Sequence, residues 1–142
     1  MDWTSLFIFV HVVALAGWAL LFFAPRGPRV AAYLLYLCVG LLSLTYTAMF
    51  AAQFGDFWRT EPDGIEGIKA VFATDGGVVL GWTHYLAFDL FIGQWIAKDA
   101  DHKGFSRLAQ APVLLLTLLA GPIGLFIWLV VRERRARAAG RN

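Results

Sequence analysis

Residues 6–24 read LFIFVHVVALAGWALLFFA, nineteen positions without one Asp, Glu, Lys or Arg. At about 1.5 Å per residue such a helix reaches about 28 Å, close to the roughly 30 Å of a bilayer hydrocarbon core. Working outward, residues 30–55 and 108–131 are equally free of charge, and residues 78–97 are interrupted only by Asp89. Each run passes the roughly 18 residues that mark a spanning helix. The expected fold is therefore all-α: a polytopic membrane protein with four transmembrane helices in a compact bundle over residues 3–131. A basic tail, residues 132–142, follows.

Composition agrees with the pattern. The chain is 59% hydrophobic and 15% charged over 142 residues, too little polar surface to cover four such helices in water. The first run is not read as a cleaved leader, because it begins Met1-Asp2, has no basic n-region and ends Ala24-Pro25-Arg26. Cys38 stands alone, so no internal disulfide forms. The net charge of +2 comes largely from Arg132, Arg134, Arg135, Arg137 and Arg141. Directly after a membrane helix, these suit lipid headgroups rather than nucleic acid.

Two prolines and a glycine in residues 24–29 close the first two helices into an antiparallel hairpin. Residues 56–77 form the longest connection, and Ile65, Ile68 and Phe72 predict a short interfacial helix within it. The third helix is expected to end near Ala97. Gly121, Pro122 and Gly124 predict a kink midway along the fourth. Four crossings place both termini on one side of the membrane.

Asp89 is the residue to explain, since an ionised carboxylate at mid-bilayer costs several kcal/mol. Tyr85 lies one turn before it, whereas His84 is about 140° away and must address another neighbour. His11 on the first helix and Ser43, Tyr46, Thr47 and Gln53 on the second are the other polar groups inside the runs. Interhelical hydrogen bonding alone would account for some of them, at about 0.6–2 kcal/mol each. Intramembrane ionisable groups more often mark a functional site, so Asp89, His84, Tyr85 and His11 are the candidate catalytic residues. Asp89 and His84 are expected to face the bundle interior or a cavity. Trp82, Tyr46, Phe88 and Trp95 are the aromatic candidates for substrate contact, with interfacial anchoring as the alternative for Trp82 and Trp95. No phosphate loop, nucleophile elbow or His/Cys metal spacing is present, so neither metal nor other cofactor is expected.

The stretch Gly81-Trp82-Thr83-His84-Tyr85-Leu86-Ala87-Phe88-Asp89-Leu90-Phe91-Ile92-Gly93, followed by Trp95, resembles the signature of the ABA-deficient-four-like family, neoxanthin-synthase-type membrane proteins of plastids and their bacterial relatives. Ala120-Gly121-Pro122-Ile123-Gly124-Leu125 is similar to a second family signature. The resemblance spans about residues 3–131 and implies a membrane protein acting on carotenoids or related isoprenoid polyenes. For plant members it implies opening of an epoxide with loss of a neighbouring proton, which requires an acid and a base but no redox cofactor. The absence of a plastid transit extension points to a bacterial relative in the cytoplasmic membrane. A non-catalytic carotenoid or lipid binder and a small proton or ion pathway are the competing functions. The expected partners are a lipid-soluble polyene, membrane lipids and, for a ligand about as long as the bilayer is thick, a second copy of the chain.

Overall fold

The computed structural model describes residues 2–59 and 63–139; the side chains of residues 56, 58 and 134–139 lie outside that description, and with them the tail arginines from Arg134 onward. The helices are α1 (Trp3–Phe23), α2 (Pro28–Ala32), a π-helical segment (Tyr33–Val39), α3 (Gly40–Arg59), α4 (Gly64–Phe72), α5 (Asp75–His102), α6 (Arg107–Leu119) and α7 (Gly121–Ala139). The described residues contain no strand. Two helices are long and apolar enough to cross a bilayer, Trp3–Phe23 and Pro28–Gly55.

Local chemistry sets the boundaries. The Asp2 side chain accepts from the Thr4 and Ser5 N–H groups and caps α1. Pro25 forbids its continuation, and Pro28 occupies the first turn of α2, where its missing N–H costs nothing. The chain then runs unbroken through the π segment into α3, with the Gly40 N–H bonded to the Leu35 carbonyl five residues back. Thr74 caps α5, accepting from the Gly77 N–H at 3.0 Å, so this helix takes in the last three residues of the expected connection. It ends at His102, beyond the expected Ala97, where Gly104 takes φ +70° and the Phe105 N–H returns to the Ala100 carbonyl at 3.0 Å. The short helix expected in the long connection is α4.

α5 is the axis of the bundle. α1 lies parallel to it: Trp82 meets His11, Gly93 receives the Trp18 ring, and Asp101 pairs with Arg26. α2 and α3 run the other way, with Ala31 opposite Gln94, Tyr46 opposite His84 and Gln53 against Gly76. Val10, Ala14 and Trp18 of α1, Leu42 of α3 and Ala87 and Leu90 of α5 form the centre of the core.

The expected fourth span is corrected. Residues 108–131 are not one kinked helix but two helices folded back on each other at Ala120, whose φ of −156° and ψ of 73° leave the helical region. A continuous helix would put Phe105 and Trp128 about 35 Å apart, yet their ring centroids are 5.3 Å apart. The Trp128 Nε1–H donates to Asp99 at 3.0 Å, and Arg132 reaches the same carboxylate at 2.8 Å. Pro122 cannot continue α6, and glycine at 124 lets α7 pass directly over the Thr117 backbone, where a Cβ would overlap it. Because α6 starts and α7 returns at the His102 end of α5, while α1 starts at its Asp75 end, the first and last helices of the described residues begin and finish at opposite ends of the bundle. Four full-length antiparallel helices would have brought them to the same end. α7 also runs on through Arg132 to Ala139 without a break at the tail.

Candidate functional site

The hairpin explains Asp89. Its tip, Gly121, lies level with Asp89 midway along α5, and the Gly121 N–H faces the carboxylate. A helix N-terminus normally leaves four N–H groups without partners. At α7, Pro122 has none, and Ile123 and Gly124 both bond to the Ala120 carbonyl, at 2.9 and 3.3 Å. The Gly121 donor remains, and the Asp89 carboxylate of α5 lies against it, with its negative charge set against the positive end of the α7 dipole. A Cβ at 121 would overlap the carboxylate, which would have to swing away from the Gly121 N–H to admit it.

His11 is also engaged. Its Nδ1 lies 2.8 Å from the Phe7 carbonyl, which can only accept, so Nδ1 carries the hydrogen. Nε2 is then the acceptor for the Trp82 Nε1–H at 2.8 Å. Both imidazole nitrogens are occupied, and Trp82 is tied to α1 instead of serving only as an interfacial anchor.

His84 sits on a different face. Its ring stacks on Phe88 with centroids 4.5 Å apart, and Tyr46 of α3 and Tyr85 lie at 5.7 and 6.2 Å. His84, Tyr85 and Phe88 are exposed and Tyr46 is half-buried, against the expectation that His84 faces inward. Thr83, Ala87 and Leu90 take the inner face of α5, and their small or compact side chains let α1 and α3 approach. His84, Phe88, Phe91 and Trp95 fall at spacings of four, seven and eleven, within about 40° of one line along the helix. All four are exposed.

The candidates thus separate into three places. His84, Tyr85, Tyr46 and Phe88 cluster together, with Trp95 further along the same stripe; His11 pairs with Trp82; Asp89 holds the hairpin. Asp89 and His11 therefore stand apart from the His84–Tyr85–Tyr46 cluster. Among the described residues no three His, Cys, Asp or Glu side chains converge on a point.

The stripe leads into a groove of about 740 Å³ between the end of α1, the α2–π segment and the second half of α5. Leu20, Leu34, Tyr36 and Phe91 form its apolar walls, and Gln94, Trp95, Lys98 and His102 continue the line of α5 along it. The Gln94 Nε2–H donates to the Ala31 carbonyl at 2.7 Å and fixes one wall. At the end, Arg26 pairs with Asp101 at 3.0 Å and bonds to the Ala97 carbonyl and to Gln110. Sequence reasoning missed Tyr36, Phe91, Gln94 and Lys98. The spacing from His84 onward carried the signal for Phe91, but the π segment that shapes the opposite wall has no marker in the sequence.

An all-helical bundle with two bilayer-length apolar helices, a hairpin that turns halfway along the central helix and an exposed aromatic stripe is the architecture of a membrane-protein candidate. The chain belongs to the ABA DEFICIENT 4-like family, which matches residues 5–128. The match includes α6 and the return of α7 as far as Trp128, so the hairpin lies within the family unit. No curated protein and no solved structure matches the chain.

Proposed function

We propose that the chain is an integral membrane protein acting on carotenoids or related isoprenoid polyenes, in a bacterial cell within the cytoplasmic membrane. α1, the α2–α3 helix and α5 cross the bilayer, and α6–α7 enters from one side and returns to it. At 28 residues, about 42 Å, α5 is long enough to cross, and Asp89, its charge at mid-depth, is covered by the hairpin tip.

The observation that carries the proposal is the stripe His84–Phe88–Phe91–Trp95 running into the groove. From His84 to His102 it extends about 27 Å, long enough to lie along much of an extended polyene, and π-faces suit a conjugated chain. The reaction is a cofactor-independent isomerisation of the neoxanthin-synthase type: one proton passes to an end-ring epoxide oxygen and another leaves an adjacent carbon, with no net redox change. The His84 imidazole accepts the proton, and the neighbouring Tyr85 or Tyr46 phenol donates. Mass spectrometry of lipid extracts from cells with and without the gene, and with His84→Ala, tests this. A polyene altered by the wild type but not by the variant is expected; identical polyene profiles in all three would remove the enzyme.

The separation of Asp89, His84 and His11 favours a second function on the same stripe, a non-catalytic carotenoid or lipid binder. Purified protein carrying an unconverted polyene would select it. The three directions taken by these polar residues weigh against an ion pathway.

A further inference from the structure

Resting on the polyene site just described, we infer that the groove admits an apolar chain ending in a carboxylate, with the head held at its polar end by Lys98, His102 and Arg26. The walls sort by chemistry along the groove. Leu34, Tyr36 and Phe91 offer no hydrogen-bonding group in the apolar part except the Tyr36 hydroxyl, whereas Lys98 and His102, one turn apart on α5, stand at the end. Asp101 is the carboxylate among the lining residues, and Arg26 already neutralises it with both oxygens at 3.0 Å. The Lys98 ammonium has no ion pair among the described residues, so this end carries about one uncompensated positive charge, matching a monoanion.

Arg26 lines the same end, and its Nε is buried without a hydrogen-bond partner among the described residues. A carboxylate has two oxygens, enough to take one bond from Lys98 and another from His102 one turn on. The π segment shapes the facing wall, and such departures from α-helical bonding recur where helices make room for ligands.

The probe is trans-parinaric acid, a conjugated tetraene carboxylate, beside its uncharged methyl ester, each titrated against the full chain in nanodiscs. Energy transfer from Trp95 reports occupancy, taken as the difference between wild type and Trp95→Phe. The acid is expected to bind about tenfold tighter than the ester or better, the size of one charge-assisted hydrogen bond. In Lys98→Met, which keeps the apolar stem, the two probes should bind alike. Should Lys98→Met fold poorly, His102→Ala is expected to narrow the same ratio. An ester that binds as tightly as the acid, or an acid preference that survives Lys98→Met, would overturn the carboxylate end and leave the polyene site standing. If neither probe draws energy from Trp95, the groove does not hold a polyene, and both fall.

Discussion

The two sides of α5 are built by opposite rules. Towards the hairpin, each group is matched: Asp89 meets the Gly121 N–H, Asp99 takes Trp128 and Arg132, and glycines stand where helices touch. On the other side, Phe88 and Phe91 are 57% and 45% exposed, and Phe88 stacks on the His84 ring. A charge midway along a largely apolar helix is therefore not by itself the mark of chemistry. Here the carboxylate lies against a helix start that would otherwise leave an open donor inside the bundle, and the side with little structural engagement is the one open to a ligand.

If that contrast holds, the largest effects follow from adding volume on the hairpin side. Gly124→Ala would force its Cβ into the Thr117 backbone, which cannot swing aside as a side chain does. A loss of about 3 kcal/mol is expected, the upper part of the usual overpacking range, read as a lowered midpoint in thermal unfolding of detergent-solubilised protein. Gly81→Ala, which meets only the Phe72 ring, should cost clearly less. Equal losses would show that the two sides are not differently built.

Asp99→Ala comes next. It removes the acceptor for Trp128 Nε1 and for the Arg132 guanidinium, but the Arg132 and Asp99 side chains keep 33% and 17% exposure. Water takes part of the lost bonding, and about 1–2 kcal/mol is expected. Limited proteolysis should detect the loosened return of α7, and an unchanged cleavage pattern would remove Asp99 as its anchor.

How far this was legible in the sequence differs between the two sides. Charge-free runs and the proline turn mark α1 and the α2–α3 helix, and the spacing of Ile65, Ile68 and Phe72 marks α4. The hairpin was hidden because a charge-free run reports an apolar environment without saying whether the chain goes through it or turns back. Gly121-Pro122-Ile123-Gly124 is compatible with a kink as well as a reversal; the choice depends on Asp89, thirty-two residues upstream, and on Asp99 and Arg132 beyond the run. His84 was placed inside because polarity predicts burial in a membrane chain, but the inner face of α5 was already needed by Thr83, Ala87 and Leu90. Asp89 stands out in the sequence because a carboxylate in an apolar run needs a partner, but that partner, Gly121, lies on another helix and has no marker near Asp89 in the chain.

Asp89→Asn and Asp89→Ala separate these roles. The amide still offers an oxygen to the Gly121 N–H, so Asn should change stability by less than about 1 kcal/mol, whereas Ala leaves the donor unpaired and costs about 1–3 kcal/mol. Polyene conversion by Asp89→Asn is expected to stay near the wild-type level at matched protein amounts. A fall of about 10² at unchanged melting temperature, the usual size of a general acid–base contribution, would return Asp89 to the chemistry and sink its purely capping role.

The smallest effect on stability is expected at His84. Its ring is exposed and stacks on Phe88, and none of its nitrogens has a hydrogen bond among the described residues. Removing it in His84→Ala leaves no buried donor unpaired and no closed cavity, so the change should lie within about 0.5 kcal/mol. Function is expected to move in the opposite sense. If His84 accepts a proton from the polyene, conversion falls by about 10² or more while the folded fraction is unchanged. Phe88→Leu is the control, since it keeps an apolar surface on the stripe but removes the stacked ring: it should weaken polyene binding and leave the rate on bound polyene largely intact. Loss of conversion with retained binding in His84→Ala assigns the imidazole to chemistry. Loss of binding alone, equal in the two variants, assigns it to the aromatic surface and makes the chain a binder. Full conversion and full binding in both would show that the exposed side of α5 faces only lipid, and the contrast between its two sides would then have no functional meaning.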